Sequence, residues 1–159
     1  MIEVLCRGKI IHYGSEDGRW FYGVPVPIQF NAHPTNDIEL VNYFNYDEDY
    51  DAGYPLIHSR LIDPKTLGRY TGVIDKNDDT IYEGDILSVE FTVQDPKEGE
   101  PDKYYEKGIV EYSEEYLAWH VVYPGVDWVP LDDLVRGSGI CLNAEVIGNI
   151  WDNPDIVVS

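Results

Sequence analysis

Turn-forming residues recur along this chain roughly every eight to twelve positions, and this spacing constrains the fold more than any other feature of the sequence. Clusters of Gly, Pro, Asn and Asp separate short apolar runs, and no long amphipathic helical pattern interrupts them. Many short strands with frequent turns are typical of all-β proteins. We therefore predict an all-β, β-rich fold with short helical turns.

Residues 1–61 predict an N-terminal β-hairpin subdomain. Two apolar segments flank residues 15–18 (SEDG), where Asp-Gly readily adopts the left-handed conformations of a hairpin turn. Pro25 and Pro27 lack the N–H that a strand ladder uses. The second strand should therefore end at these prolines or lie at a sheet edge.

The segment from Asn31 to Tyr54 is acidic and rich in tyrosine, with no sustained hydrophobic period. We interpret it as a long excursion from the hairpin, with a short helix near residues 35–44. The carboxylates between Asp47 and Asp51 do not match a calcium loop, which needs a central Gly and a terminal Glu at fixed spacing. The sequence therefore predicts no specific metal site in this segment.

Residues 62–159 predict a small, partly open SH3-like β-barrel. At its start, residues 63–68 (DPKTLG) combine a capping Asp, a Pro with preset φ and a closing Gly, which predicts one helical turn. A strand over residues 69–74 and a polar turn over residues 75–79 follow.

Residues 81–89 (IYEGDILSV) raise the question of whether two carboxylates beside a glycine form an active site. Gly84 can take a positive φ that a side chain would resist, and Asp85 can accept backbone amides in a local turn. Beyond them, apolar and polar residues alternate with a period of two up to Phe91, as in a half-buried strand. We interpret Gly84 and Asp85 as the start of a strand rather than as catalytic groups.

The remaining segments extend the β pattern. Residues 94–107 combine Pro, Gly and mixed charge, which predicts an exposed hairpin loop. Residues 131–135 predict a helical turn, and residues 144–151 the last strand. Two short strands are predicted around residues 113–115, with His120 on the face opposite their apolar residues, which are Leu117, Trp119, Val121 and Tyr123.

Thirty acidic residues against eleven basic ones give the chain a formal net charge of −19. The charge is negative in both halves, at −6 over residues 1–54 and −13 over residues 55–159. Nucleic-acid binding gains most of its affinity by neutralising phosphates with Lys and Arg, and the sequence has no basic cluster for this. We therefore expect no direct binding to nucleic acid. The charge either keeps the surface solvated, imitates nucleic acid, or docks the chain on a basic protein.

Cysteine, histidine and hydropathy patterns exclude several further classes of protein. Cys6 and Cys141 lie far apart and the four histidines are scattered, so neither a disulfide framework nor a zinc pattern is present. Residues 1–10 lack the basic start and long apolar run of a signal peptide, and no apolar run reaches the roughly eighteen residues of a membrane span. We expect a cytoplasmic protein that needs no cofactor and does not bind membranes.

Five blocks of the sequence together carry a resemblance to a known family. They are RGK at 7–9, GRWFYG at 18–23, DPKTLGRYTGVIDKN at 63–77, IYEGDIL at 81–87 and EVIGNIWDNPDIV at 145–157. In this order, and spanning nearly the whole chain, they resemble the YopX family of phage and prophage proteins. The resemblance implies a bacterial phage or prophage gene, a mainly β structure with a small barrel, and no established activity. It supplies no catalytic residues.

The positions that recur in this resemblance are mostly glycines and aromatics, which we interpret as turn and core residues. They are Gly8, Trp20, Gly23, Gly68, Tyr70, Gly72, Gly84, Asp85, Gly148 and Asn149. The acidic segment over residues 45–54 and the polar loop over residues 94–107 depart from the family pattern. The resemblance implies nothing about these two segments.

Candidate catalytic groups do not assemble along the sequence. His58 and Ser59 lie near Asp63, but neighbours on a strand point to opposite faces, so they would not share a pocket. The adjacent carboxylates at residues 114–115 and 132–133 diverge in extended structure and do not form the facing pair of a glycosidase. No phosphate-binding loop of the G-x-x-x-x-G-K-[ST] form is present.

Two classes of function remain. The sequence favours an accessory protein without catalytic activity that binds another protein, and we expect a basic surface on that partner. The alternative is an enzyme or a small-ligand binder with a site where the aromatic residues of the two halves meet. Thirteen Tyr and four Trp are many for one small core, so we also expect some exposed aromatics and self-association.

Overall fold

The computed structural model describes residues 6–27, 38–44, 56–93, 101–125, 128–135 and 139–156. Within these ranges the chain forms β-strands joined by turns and short 3-10 segments, with no α-helix. The all-β prediction is therefore confirmed. The described strands pair into two sheets and do not close into a barrel, so the SH3-like arrangement stays a prediction.

The strands are short and follow one another along the whole described chain. They are β1 Cys6–Lys9, β2 Trp20–Pro27, β3 Ile38–Phe44, β4 Leu56–Ile62, β5 Gly68–Asp75, β6 Thr80–Tyr82, β7 Asp85–Val93, β8 Asp102–Ser113, β9 Ala118–Val122, β10 Trp128–Pro130, β11 Ile140–Cys141 and β12 Ala144–Asn149. The 3-10 segments are Gly14–Glu16, Pro64–Thr66, Leu131–Leu134 and Pro154–Ile156. No helix in the described part of the chain is long and apolar enough to cross a membrane.

The chain divides into two compact units, an N-terminal unit, Met1–Tyr70, and a C-terminal unit, Thr71–Ser159. Strand β5 runs through the boundary. Its first residues pair with β1, and its last residues pair in parallel with β11.

The N-terminal unit contains a sheet in the order β5-β1-β2-β3-β4. The predicted hairpin is present as the antiparallel pair of β1 and β2. Strand β2 pairs with β1 through Trp20–Gly23 and with β3 through Val24–Pro27. Among the described strands, the half of β2 that holds Pro25 and Pro27 thus has a partner on one side only. The proline nitrogens can face the open side of the strand, where the lack of an N–H costs no hydrogen bond between strands.

The predicted helical turn after Asp63 is confirmed as the 3-10 segment Pro64–Thr66. The Asp63 carboxylate accepts a hydrogen bond from the Lys65 N–H at 3.0 Å, as expected of a capping residue. The Thr66 hydroxyl accepts from the Lys9 N–H at 2.8 Å and ties this turn to β1. A small core lies beside it, formed by Cys6, Leu40 and Ile62 with Phe21, Ile38 and Leu67 packed against them.

The prediction of a short helix near residues 35–44 is wrong. Residues 38–44 form strand β3, which pairs with β2 on one side and with β4 on the other. Leu40 is completely buried, and its neighbours on the strand are only half-buried. A strand with ladder bonds on both sides and a buried apolar residue gains more than a short, isolated helical turn does. Residues 28–37 and 45–55 lie outside the described residues.

The C-terminal unit contains a five-stranded antiparallel sheet in the order β10-β9-β8-β7-β12. The longest pairing joins β7 and β8, from Ile86 opposite Ile109 to Val93 opposite Asp102. The alternation predicted up to Phe91 is present, because Leu87 and Val89 are fully buried and their neighbours Ser88 and Glu90 are not. The core of this unit consists of Val73, Ile81, Leu87, Val89, Val110, Val121, Tyr123, Leu131, Leu134, Cys141 and Ala144.

Two predictions for the C-terminal unit need correction. The loop predicted over residues 94–107 is too long, because β8 begins at Asp102 and continues the ladder with β7; residues 94–100 lie outside the described residues. Leu117 does not join the apolar face, because it lies in the turn between β8 and β9 with a φ of 52° and is 75% exposed. The predicted helical turn near Leu131 and the last strand from Ala144 are confirmed.

Candidate functional site

The positions that carry the family resemblance lie at separate places in the fold. The hairpin and the start of β5 hold Gly8, Trp20, Gly23, Gly68 and Tyr70. Strand β5 holds Gly72, and the pairing of β7 with the end of β12 brings together Gly84, Asp85, Gly148 and Asn149.

Gly84 and Asp85 form the turn that leads into β7. Gly84 has a φ of 81°, which confirms the predicted positive φ. Its N–H donates to the Val110 carbonyl at 2.9 Å, and its carbonyl accepts from the Ile150 N–H at 3.0 Å. Asp85 is 1% exposed, and its Oδ2 accepts from the Tyr82 N–H at 2.8 Å. These hydrogen bonds connect the turn to the backbone of β6, of β8 and of the segment after β12, so the role of the turn is structural.

Asn149 organises the segment that follows β12. Its Oδ1 accepts hydrogen bonds from the N–H groups of Trp151 at 3.1 Å and Asp152 at 2.9 Å. Its own N–H donates to Asn153 Oδ1 at 3.3 Å. These bonds place the Trp151 indole against Gly84, where a Cβ would overlap the ring.

The candidate catalytic residues do not converge. His58 and Ser59 are neighbours on β4, so their side chains leave opposite faces of the sheet. Asp63 caps the 3-10 segment and is engaged with the Lys65 N–H. Asp132 and Asp133 are both exposed in the first turn of Leu131–Leu134. The acidic run over residues 47–51 lies outside the described residues.

No group of three or more His, Cys, Asp or Glu side chains in the described residues could hold a metal ion. Cys141 is completely buried, and burial, with smaller contributions from the charges of Asp75 and Asp132, raises the pKa of its thiol to about 11. A thiol with so high a pKa supplies little thiolate at neutral pH, so Cys141 is a core residue rather than a nucleophile.

Three rings of the C-terminal unit form a cluster that we call the aromatic patch: Tyr116, His120 and Trp128. The His120 and Trp128 rings lie 4.0 Å apart between centroids, Tyr116 and Trp128 4.9 Å, and Tyr116 and His120 5.6 Å. Tyr116 is 55% exposed and Trp128 is 40% exposed, whereas His120 is only 4% exposed. The imidazole therefore forms the floor of the patch, and the two larger rings form its surface.

Strand pairing explains how the patch assembles. In β9, Trp119 and Val121 turn toward the core, so the residue between them, His120, points to the opposite face. Strand β10 places Pro130 opposite His120 and Trp128 opposite Val122, on that same face. Tyr116 lies in the turn before β9, where its N–H donates to Ser113 Oγ at 3.3 Å.

Carboxylates border the aromatic patch. Glu111 of β8 lies directly opposite His120 of β9, so both side chains leave the same face of the sheet. Glu114 and Glu115 are exposed in the turn that also holds Tyr116. The wider charge has the same sign, because the C-terminal unit holds twenty acids and five bases, net −15, against ten acids and six bases, net −4, in the N-terminal unit.

A second set of exposed aromatics lies where β7 ends and β8 begins, and there the Tyr105 hydroxyl is paired within the chain. The Phe91 and Tyr104 rings stack at 5.3 Å. Glu90 accepts hydrogen bonds from Lys103 at 2.7 Å and from the Tyr105 hydroxyl at 2.8 Å, and these two bonds lower its pKa. The Glu90 carboxylate at this end of the sheet is therefore already paired with the Lys103 ammonium.

The N-terminal unit shows how this chain accommodates an arginine among rings. The Arg60 guanidinium carbon lies 4.9 Å from the centre of the Tyr13 ring and 5.9 Å from that of Phe21. Its Nε donates to Glu16 Oε2 at 2.6 Å, and this hydrogen bond lowers the pKa of Glu16. Two rings and one carboxylate thus hold one guanidinium.

Sequence reasoning placed His120 opposite the core and missed the patch. The alternation in β9 supplied that orientation, but Trp128 reaches His120 only because β10 pairs with β9. Tyr116 likewise reaches His120 and Trp128 only because the turn before β9 folds back beside them. The spacing of the three residues along the chain follows no helical or strand period.

Comparison with protein families shows what kind of chain this is. A family model described as YopX protein matches residues 28–157. The chain belongs to the YopX family. The match contains the aromatic patch and the last three of the five blocks that suggested the family, and the RGK and GRWFYG blocks of the hairpin precede it. No curated protein matches this YopX chain.

Proposed function

We propose that this YopX protein is a phage- or prophage-derived accessory protein without catalytic activity, which acts in the cytoplasm of a bacterial host by binding a protein with a basic surface. The observation that supports this most directly is the aromatic patch on a unit of net charge −15, with Glu111 on the same face of the sheet and Glu114 and Glu115 exposed in the turn that holds Tyr116. Family membership supports the phage or prophage origin. The alternative, a catalytic or small-ligand site between the two halves, stays a prediction.

The physical argument combines contact area with charge. Tyr and Trp contribute large contact area at protein interfaces and are enriched among the residues that dominate binding energy. Negative charge around such rings speeds encounter with a basic partner and disfavours acidic ones. Here His120, Trp128 and Glu111 leave the same face of the sheet, since Glu111 lies opposite His120 and Trp128 opposite Val122, two residues along β9.

The same charge argues against phosphate backbones as ligands. Nonspecific affinity for nucleic acid comes almost entirely from neutralising phosphates, and five bases against twenty acids in the C-terminal unit provide little for this. An anionic membrane surface would meet the same repulsion. The proposal therefore includes no direct binding to nucleic acid or membrane.

A salt-resolved binding experiment tests the proposed function. Immobilised full-length protein is expected to retain basic proteins from a nuclease-treated bacterial lysate, and to release them as salt rises. The screening length falls from roughly 10 Å at 0.1 M to roughly 3 Å at 1 M salt, which weakens contacts between exposed charges. An unrelated immobilised protein of similar net charge is the control. Retention equal to that control, or micromolar binding to single-stranded or duplex nucleic acid at physiological salt, would contradict the proposal.

We also expect the protein to self-associate weakly. Large rings are exposed on the C-terminal unit, among them Tyr104, Tyr105, Tyr116 and Trp128. Burial of such rings against a second copy removes apolar area from water. Light scattering should show a mass that rises above 18.2 kDa with increasing concentration. A mass that stays at the monomer value up to the highest soluble concentration would rule this out.

A further inference from the structure

We infer that the aromatic patch is a docking site for an arginine side chain of the partner protein, with the guanidinium held against Trp128 and Tyr116 and paired with Glu111. This inference rests on the proposed function and specifies the surface and the group that is recognised. Its occupant is an arginine-bearing segment of another protein.

The exposed rings of the patch are held in place before any ligand arrives. His120 is almost fully buried and contacts both Tyr116 and Trp128, whose planes are tilted by 44° to each other. Trp128 is further fixed by its place in β10, opposite Val122. Rings that are already positioned lose little conformational entropy on binding, so more of the interaction energy is available for affinity.

The chemistry of the patch matches that of the arginine site within the N-terminal unit. There, Arg60 lies over Tyr13 and Phe21 and its Nε donates to Glu16. The aromatic patch offers two exposed rings together with a carboxylate on the same face. In the part of the chain that the structure describes, no cationic side chain lies over Tyr116 or Trp128. In the inferred complex, an arginine of the partner protein supplies this cation.

Arginine fits these groups better than lysine does. A guanidinium is planar and weakly hydrated, so it stacks on an aromatic face and at the same time directs N–H groups to a carboxylate. An ammonium is a compact, strongly hydrated charge that loses more solvation at such a surface. Cation–π contacts in proteins accordingly involve Arg more often than Lys, with Trp as the best ring.

The inference is tested by titrating the full-length protein with three short peptides that are identical except at two positions, which hold Arg, Lys or citrulline. Citrulline keeps the shape of arginine and removes its charge. Binding is followed by the NMR shifts of the tryptophan indole N–H groups and of the amides around residues 111–120. We expect the Arg peptide to bind most tightly, the Lys peptide less tightly, and the citrulline peptide not measurably.

Variants locate the site. Tyr116→Ala and Trp128→Ala should each weaken binding of the Arg peptide about threefold to tenfold, the range expected for one cation–π contact. Glu111→Gln should weaken it by a similar factor, because the paired charge is lost. Tyr116→Phe should retain wild-type affinity, since the ring remains. Tyr105→Ala is the matched control, because Tyr105 is about as exposed as Tyr116 and lies on the same sheet but outside the patch.

The outcomes separate this inference from the proposed function. If the wild type binds the basic peptides but the patch variants bind as tightly as the wild type, the docking site is wrong and the proposed function stands. Equal affinity for the Arg and Lys peptides overturns the choice of arginine. If no basic peptide binds and the protein retains no basic protein from the lysate, both proposals fail. Self-association that the patch variants abolish, with no effect of the Arg peptide, would show a second copy as the occupant.

Discussion

Replacing Asp75 with alanine is expected to destabilise the protein by about 3–5 kcal/mol, because it leaves three backbone N–H groups without their acceptor. Asp75 is completely buried. Its Oδ1 accepts from the N–H groups of Asn77 at 2.7 Å and Asp79 at 2.9 Å, and its Oδ2 accepts from the Val146 N–H at 2.8 Å. One carboxylate thus closes the turn after β5 and fastens that turn to β12.

The free energy of unfolding, measured by urea denaturation, checks this prediction. Asp75→Asn should be less destabilising than Asp75→Ala, since the amide oxygen can still accept from Asn77 and Asp79 while the amide N–H meets the Val146 N–H. Asp102→Ala removes an exposed carboxylate at the start of β8 and should change stability by no more than about 0.5 kcal/mol. A loss below about 1 kcal/mol for Asp75→Ala would mean that water replaces the carboxylate as acceptor.

Asp75 illustrates how far sequence reasoning reaches in this protein. The polar run that begins at Asp75 predicts a turn, and local bonds to Asn77 and Asp79 realise it. The third bond reaches Val146, which is 71 positions away in the sequence. Nothing in the local pattern specifies such a partner, because the pairing depends on how β12 returns to the sheet.

The difference between local and long-range contacts also explains why the helix predicted near residues 35–44 is wrong. Residues 38–44 lack a clear alternation, so local preference does not identify a strand there. Neighbours supply the missing information, since β2 and β4 both pair with this segment. The strands predicted over residues 69–74 and from Asp85 to Phe91 are confirmed as Gly68–Asp75 and Asp85–Val93, because local turn chemistry sets their limits.

The aromatic patch was beyond sequence reasoning for a related reason. The alternation of β9 specifies which way His120 points, but exposure depends on what the neighbouring strand provides. Trp128 covers His120 because three residues of β10 pair with β9, from Trp128 opposite Val122 to Pro130 opposite His120. A single sequence predicts which face of its strand each side chain leaves. It does not predict which strands pair, and therefore which side chains of different strands come into contact.

Gly84→Val is expected to destabilise the protein by about 2–6 kcal/mol, because two costs coincide at this turn. A branched residue at a φ of 81° carries backbone strain of about 1–3 kcal/mol. Its Cβ would also overlap the Trp151 indole, and relieving such overpacking typically costs a further 1–3 kcal/mol or so.

Gly72→Val separates the two costs at Gly84, because Gly72 has a φ of 86° but a Cβ there meets no atom within 4 Å. We expect Gly72→Val to cost only the backbone term, about 1–3 kcal/mol. In a Trp151→Ala background, the additional cost of Gly84→Val should fall to the value measured for Gly72→Val, since the overlapping ring is gone. Equal losses for both glycine variants in the wild-type background would show that the indole moves aside freely. In that case the glycine of the IYEGDIL block would be required for its backbone conformation alone.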